Sequence, residues 1–235
     1  MLGKTCTKHL DKCINEYLLH YSLKSYSQEG EDMVLRRLFE HKTCGFYIDV
    51  GAHHPFRFSN TYFFYRRNWR GINIDATPGS MNIFRRFRRR DINIEAAVSS
   101  RIHQTTYYLF KESALNTFDQ QLAEKRMHAG WQLDGVINIG SRALADLLHE
   151  NLLDNQHIDF LTIDTEGLDL QVLESNNWEM HRPDCVLVEL LNVSLDELTT
   201  SDIYLFMKEV GYHLFAKTVS TAFFLEEKAY LRWKT

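Results

Sequence analysis

Short apolar runs separated by segments of helical period fill most of the chain. The runs at 46–50, 71–75, 92–95, 158–164 and 185–189 are rich in Ile, Val, Leu and Phe, as strands buried on both faces are. Between them, 59–67, 79–89, 141–150, 168–176 and 201–210 read as helices. Strand and helix thus alternate, which predicts an α/β fold with a mostly parallel sheet covered on both sides. Residues 212–216 and 222–226 predict a closing antiparallel hairpin, and 104–139 breaks the alternation as an insertion with short strands of its own. Upstream, Leu10, Cys13, Ile14, Tyr17 and Leu18 fall at helical spacing. Ser27, with Glu31 and Asp32 after it, opens a second helical run through Met33, Val34, Leu38 and Phe39. An N-terminal helical cap over 1–40 followed by one α/β domain over 41–235 is the organisation expected.

Composition agrees with a single large core. The 235 residues include only 11 Gly and 3 Pro, while 44% are hydrophobic and 13% aromatic. Disordered, collagen-like and low-complexity readings are excluded. Net charge is −4, which argues against nucleic acid or anionic lipid as a standing partner. The charge is uneven, however: residues 66–101 hold nine Arg and no Lys against Asp75, Asp91 and Glu95, a local balance of +6. The densest part, 85–90, reads as a solvated helix end, with a polyanion-binding patch as the alternative. The four cysteines lack CxxC spacing and read as free thiols. The first twenty residues alternate Lys, His and Asp with apolar positions, and the sequence holds no apolar run long enough for a bilayer. A soluble, cytoplasmic protein without a membrane-spanning segment is expected.

Ligands of open parallel sheets gather at the carboxyl ends of the strands. There the sequence places Asp75, Glu95, Asp164 and Glu189, with Asp49 just inside the first strand end. Several acids on one rim repel one another and cost stability, which points to use rather than decoration. The first strand ends Asp49-Val50-Gly51-Ala52-His53-His54-Pro55, a turn in which backbone N–H groups can meet an anionic ligand group. It lacks GxGxxG, so a pyrophosphate-bearing dinucleotide is disfavoured and a nicotinamide-dependent oxidoreductase is only the alternative. Asp75 stands 24 residues beyond Gly51, where an acid takes ribose hydroxyls. Ribose without pyrophosphate points to a nucleoside cofactor such as S-adenosylmethionine. Asp164-Thr165-Glu166-Gly167 can supply a general base, His53 and His54 a further acid or base beside the turn. Asp164 with Glu189 can alternatively hold Mg²⁺ or a similar cation. Tyr107, Tyr108, Phe110, Trp131 and Trp178 read as core and lid packing.

These residues, taken in order, resemble the FkbM-type S-adenosylmethionine-dependent methyltransferases. The resemblance rests on 26–32 (Tyr-Ser-Gln-Glu-Gly-Glu-Asp), 46–55, Ser59-Asn60-Thr61, 71–76, Ala96-Ala97-Val98-Ser99 and 160–169. It implies a Rossmann-like class I fold with a seven-stranded sheet. It also implies that the turn containing Gly51 and Ala52 binds the methionine part of the cofactor, Asp75 and Ala76 the ribose, and Glu95 with Ala96 the adenine side. The activity implied is O-methylation, on a small-molecule or glycan acceptor such as a sugar hydroxyl of a surface polysaccharide or glycolipid precursor. One departure stands out: the wider class has a second glycine where His53 stands. A side-chain contact from His53 or Asn60 would compensate.

Overall fold

The computed structural model describes residues 22–101 and 104–234. The helix expected within 10–20, and Cys6 and Cys13, lie outside the described residues. Helix α1 (Glu31–Leu38) is followed by β1 (Phe46–Val50), α2 (Tyr62–Tyr65), β2 (Arg70–Asp75), α3 (Ser80–Phe87), β3 (Ile92–Glu95) and β4 (Ala97–Val98). The insertion then contributes β5 (Gln104–Phe110), a 3-10 turn, α4 (Gln120–His128) and β6 (Leu133–Arg142). The chain finishes with α5 (Leu144–Asn151), β7 (Phe160–Ile163), α6 (Asp169–Glu174), β8 (Cys185–Glu189), α7 (Leu195–Leu198), α8 (Asp202–Glu209), β9 (Tyr212–Lys217), β10 (Thr221–Glu226) and α9 (Glu227–Lys234).

Seven strands form one sheet in the order β3-β2-β1-β7-β8-β10-β9. β3, β2, β1, β7 and β8 are mutually parallel, and β10 runs antiparallel to both β8 and β9. This is the Rossmann-like class I fold, antiparallel hairpin included. The central strands are apolar throughout because both faces are covered. On one face, Leu144, Leu147 and Leu148 of α5, Val172 and Leu173 of α6 and Met207 of α8 pack against Ile48, Leu161 and Val186. On the other, Leu35 of α1, Phe64 of α2 and Trp69 enclose Tyr47, Phe160 and Phe223. Helix α2 is shorter than the sequence pattern, with Ser59 and Thr61 hydrogen-bonded in the turn ahead of it. The insertion builds a second, three-stranded sheet in the order β4-β6-β5, as its irregular pattern suggested.

The strand order reverses between β1 and β7, whose connections leave in opposite directions and open a crevice at their carboxyl ends. The insertion stands over that crevice. At the opposite rim, Asp159 accepts from the Phe46 N–H at 2.7 Å and from Lys42, fastening β1 to β7. Among the described residues, no helix is long and apolar enough to cross a membrane. Cys44 and Cys185 are free thiols.

Candidate active site

A cavity of about 550 Å³ occupies the crevice, within the usual range for small-molecule sites. Every parallel strand contributes to it: Gly51 and His53 after β1, Asp75 and Ala76 from β2, Ala96 after β3, Asp164 and Glu166 after β7, and Glu189 of β8. The insertion supplies the facing wall through Tyr107, Phe118, Arg126 and Trp131.

The turn after β1 is tightly specified. The Gly51 and Ala52 N–H groups both donate to Ile74 O, at 2.9 and 3.1 Å. Gly51 has φ 85°, and a Cβ there would lie 1.7 Å from the carbonyl oxygen of Asp164. Only glycine lets the β1 turn lie against the β7 turn this closely. His53 also adopts a left-handed conformation, φ 50°, although it carries a side chain. Its N–H donates to Asp75 Oδ2 at 2.9 Å, while Thr77 N–H donates to Asp75 Oδ1 at 2.8 Å. Each Asp75 oxygen is thus oriented by one backbone donor and retains a lone pair for a further one.

Beneath this turn lie residues that shape the cavity without lining it. Asp49 is buried and accepts from Thr61 Oγ1 at 2.9 Å. Burial pushes its carboxyl up to about 6, against the pull of Thr61 and Arg88. Asn60 donates to Thr162 Oγ1 at 3.0 Å, and Ala52 packs against Met81 and Phe84. Glu95 turns away to accept from the Gly79 N–H at 2.9 Å, at the start of α3. His54 is likewise engaged by backbone, its Nδ1 accepting from the N–H groups of Phe56 and Arg57 at 3.2 and 3.1 Å. His53 differs: it lines the cavity, and its Nε2 is buried without a partner. Burial holds its imidazole below the usual pKa, so the ring is neutral.

Three carboxyl groups gather at the ends of β7 and β8: an oxygen each of Asp164, Glu166 and Glu189 lie within 4.8 Å of one another. Asp164 and Glu189 stand side by side, and the carboxyls of both are held above the usual carboxylate range. Burial is the main cause for each; neighbouring carboxylates add to it. Asp164 is itself open to the cavity, so its crowding comes from the walls rather than from complete enclosure. Two adjacent carboxyls in such surroundings keep one proton between them. Glu166 is held differently. Arg126 of α4 donates to its Oε2 at 2.6 Å, and Thr117 Oγ1 donates to its carbonyl oxygen at 2.6 Å.

The family model for the methyltransferase FkbM domain matches residues 49–214, most of the chain and all of the strand ends just described. The chain belongs to the FkbM methyltransferase family. No curated protein matches it. Among solved structures, the FkbM methyltransferase of Methylobacillus flagellatus aligns at 14% identity with a TM-score of 0.49, over 77% of this chain and 44% of that one. This chain therefore spans less than half the length of that protein. A precorrin-6y C5,15-methyltransferase from Geobacter metallireducens aligns at 13% identity and TM-score 0.44, covering 87% and 94% of the two chains. A TehB-like SAM-dependent methyltransferase from Corynebacterium glutamicum gives 8% and 0.44, covering 95% and 97%.

In this FkbM domain the structure brings Gly51, His53, Asp75, Ala76, Ala96, Asp164, Glu166 and Glu189 to one cavity. It leaves Asp49, Ala52, His54, Asn60 and Glu95 outside the wall. Sequence reading missed Arg126, whose partner Glu166 is 40 residues away. Nothing local signals such a pair. It also missed Arg57, which meets Glu112 of the insertion at 3.0 Å across the mouth. Within the run 85–90, Arg88 is completely buried, so the run is neither one solvated face nor one polyanion patch. A signal existed, because Met81, Phe84 and Arg88 fall on one helical face at i, i+3 and i+7.

Proposed function

We propose that this FkbM domain transfers a methyl group from S-adenosylmethionine to a hydroxyl oxygen, the acceptor being a sugar of a glycan or glycolipid precursor. The observation that carries the reading is the pairing, across one cavity, of an oriented ribose-type acid, Asp75, with the adjacent carboxyls of Asp164 and Glu189. The residues fit the cofactor: Asp75 keeps free lone pairs for hydroxyls, Ala76, Ala96 and Val98 offer an apolar wall, and His53 Nε2 is a buried orphan beside the turn. When bound, S-adenosylmethionine supplies an electrophilic methyl group on a positively charged sulfur.

An alcohol is a weak nucleophile at neutral pH, so the protein must take its proton as the new carbon–oxygen bond forms. The ionised member of the Asp164–Glu189 pair is placed for that. Its raised pKa makes it a stronger base than an exposed carboxylate, while the shared proton keeps the second carboxyl from repelling it. Arg126 neutralises Glu166, leaving the pair as the basic group of the wall. Positioning of both reactants in the cavity supplies much of the remaining acceleration. A divalent cation fits this donor set poorly. Glu166 is committed to Arg126, which leaves two of the three gathered carboxyls for a cation. No step requires one, and turnover is expected to survive a chelator.

Asp75→Ala should weaken S-adenosylmethionine binding by about tenfold or more in calorimetry, by loss of charge-assisted hydrogen bonds. Unchanged affinity would defeat the cofactor assignment. Asp164→Asn should lower kcat by roughly 10²–10⁴ while retaining cofactor affinity. Methyl transfer to a panel of sugar nucleotides and oligosaccharides, read by product mass, identifies the acceptor; transfer only to non-sugar alcohols or amines would reject the glycan part.

A further inference from the structure

Burial splits the arginine run at the end of α3. Arg85, Arg86, Arg89 and Arg90 are exposed, whereas Arg88 is 0% exposed. Its Nε donates to Asp91 Oδ2 at 2.9 Å and its Nη2 to the Tyr47 hydroxyl at 2.7 Å. Asp91 hardly needs this guanidinium as a hydrogen-bond donor, because it also accepts from the Tyr47 hydroxyl, the Asn73 side chain and the Gly71 N–H, at 2.8, 3.1 and 3.1 Å. The rest of the fork reaches the segment that follows β1. Nη1 donates to Pro55 O at 3.1 Å, and Nη2 to Thr61 Oγ1 at 3.0 Å.

Both acceptors belong to the scaffold of the turn. Pro55 O closes 51–55 at its far end, while the His53 N–H on Asp75 fixes the middle. The Thr61 hydroxyl in turn donates to Asp49, two residues ahead of Gly51. Arg88 therefore grips the turn from two sides while standing outside the cavity wall. Such a grip matters here because His53 holds a left-handed backbone with a side chain attached, a conformation that persists only where surrounding contacts over-determine it. A planar guanidinium can serve Asp91, Pro55 and Thr61 in fixed directions at once; an ammonium cannot.

We propose that Arg88 is a positioning residue: through Pro55 O and Thr61 Oγ1 it sets the turn 51–55 for the nucleoside cofactor, without touching it. The proposal rests on the cofactor reading above. Its test is calorimetry with S-adenosylhomocysteine together with amide hydrogen exchange at 51–55, at a temperature where circular dichroism shows each variant folded. Arg88→Lys and Thr61→Val should each weaken binding roughly tenfold and accelerate exchange at 51–55, leaving β8 and β10 protected as in the wild type. Lys42→Ala removes a contact of Asp159 at the opposite rim, outside the Arg88 network; it should lower Tm yet keep affinity within about twofold. Should Arg88→Lys fail to fold, Thr61→Val decides alone. Wild-type affinity in the folded variants, or an equal loss in Lys42→Ala, overturns the proposal and leaves the cofactor reading intact. A wild-type protein that binds no S-adenosylhomocysteine overturns both.

Discussion

Asp49 destabilises the fold in proportion to its ionisation. Its carboxyl is pushed up to about 6 by burial, from an ordinary value of 3.8. The native state thus binds this proton more tightly than the unfolded chain does. Stability contributed by the protonated form is fully present below about pH 4, falls as pH rises towards 6, and stays level above. A rise of that size corresponds to about 3 kcal/mol between the two protonation states. Asn keeps an oxygen for Thr61 without the charge, so Asp49→Asn should exceed wild-type stability by about 1–3 kcal/mol at pH 8 and by far less at pH 4, in urea unfolding. An equal difference at both pH values would show that Asp49 does not titrate in this window. A buried acid beside Gly51 that costs stability when ionised is what a site with a chemical task looks like.

At the scale of elements, the strands and the existence of the insertion were legible, but the way the insertion docks was not. Phe46-Tyr47-Ile48-Asp49-Val50 and Cys185-Val186-Leu187-Val188-Glu189 announce themselves because a strand buried on both faces has little freedom in composition. The acids at their ends were legible for the same reason: a carboxylate after such a run can only stand at the rim. By contrast, β6 alternates half-buried and exposed positions, and its partner β5 comes ahead of an intervening helix. Its docking on the site depends on contacts between distant residues, Arg126 with Glu166 and Thr117 with the Glu166 carbonyl. Arg126 also donates to Leu115 O at 2.8 Å, so one side chain fastens the insertion both to itself and to the β7 turn. Arg126→Ala leaves Glu166 without its cation in a partly buried place. It should cost about 1–3 kcal/mol of stability and raise exchange across 113–131. Unaltered protection there would mean that the wall is held by its aromatic packing, Tyr107 stacked on Phe118 at 4.2 Å, and not by the ion pair.

For the whole molecule, the two halves of the sheet meet at β1 and β7, and the cavity spans that junction. At the strand-start rim the halves are held firmly, through Asp159 with Lys42 and the Phe46 N–H. At the strand-end rim the Asp164 N–H on Val50 O at 3.0 Å and Asn60 on Thr162 join the halves, while the acids of the two sides repel across the cavity. A ligand that contacts Asp75 on one half and the β7 turn on the other spans that junction and binds only the native state. Linkage then gives about 2.7 kcal/mol at a ligand concentration about a hundred times Kd. For a domain of this size that raises Tm by roughly 5–10 °C. S-adenosylmethionine and S-adenosylhomocysteine should both produce the shift in a thermal melt, whereas a nicotinamide dinucleotide, with no glycine-rich cradle for its pyrophosphate, should produce none. A shift confined to the dinucleotide would reverse the functional reading, because the same junction would then be spanned by a phosphate-bearing ligand in spite of its acids.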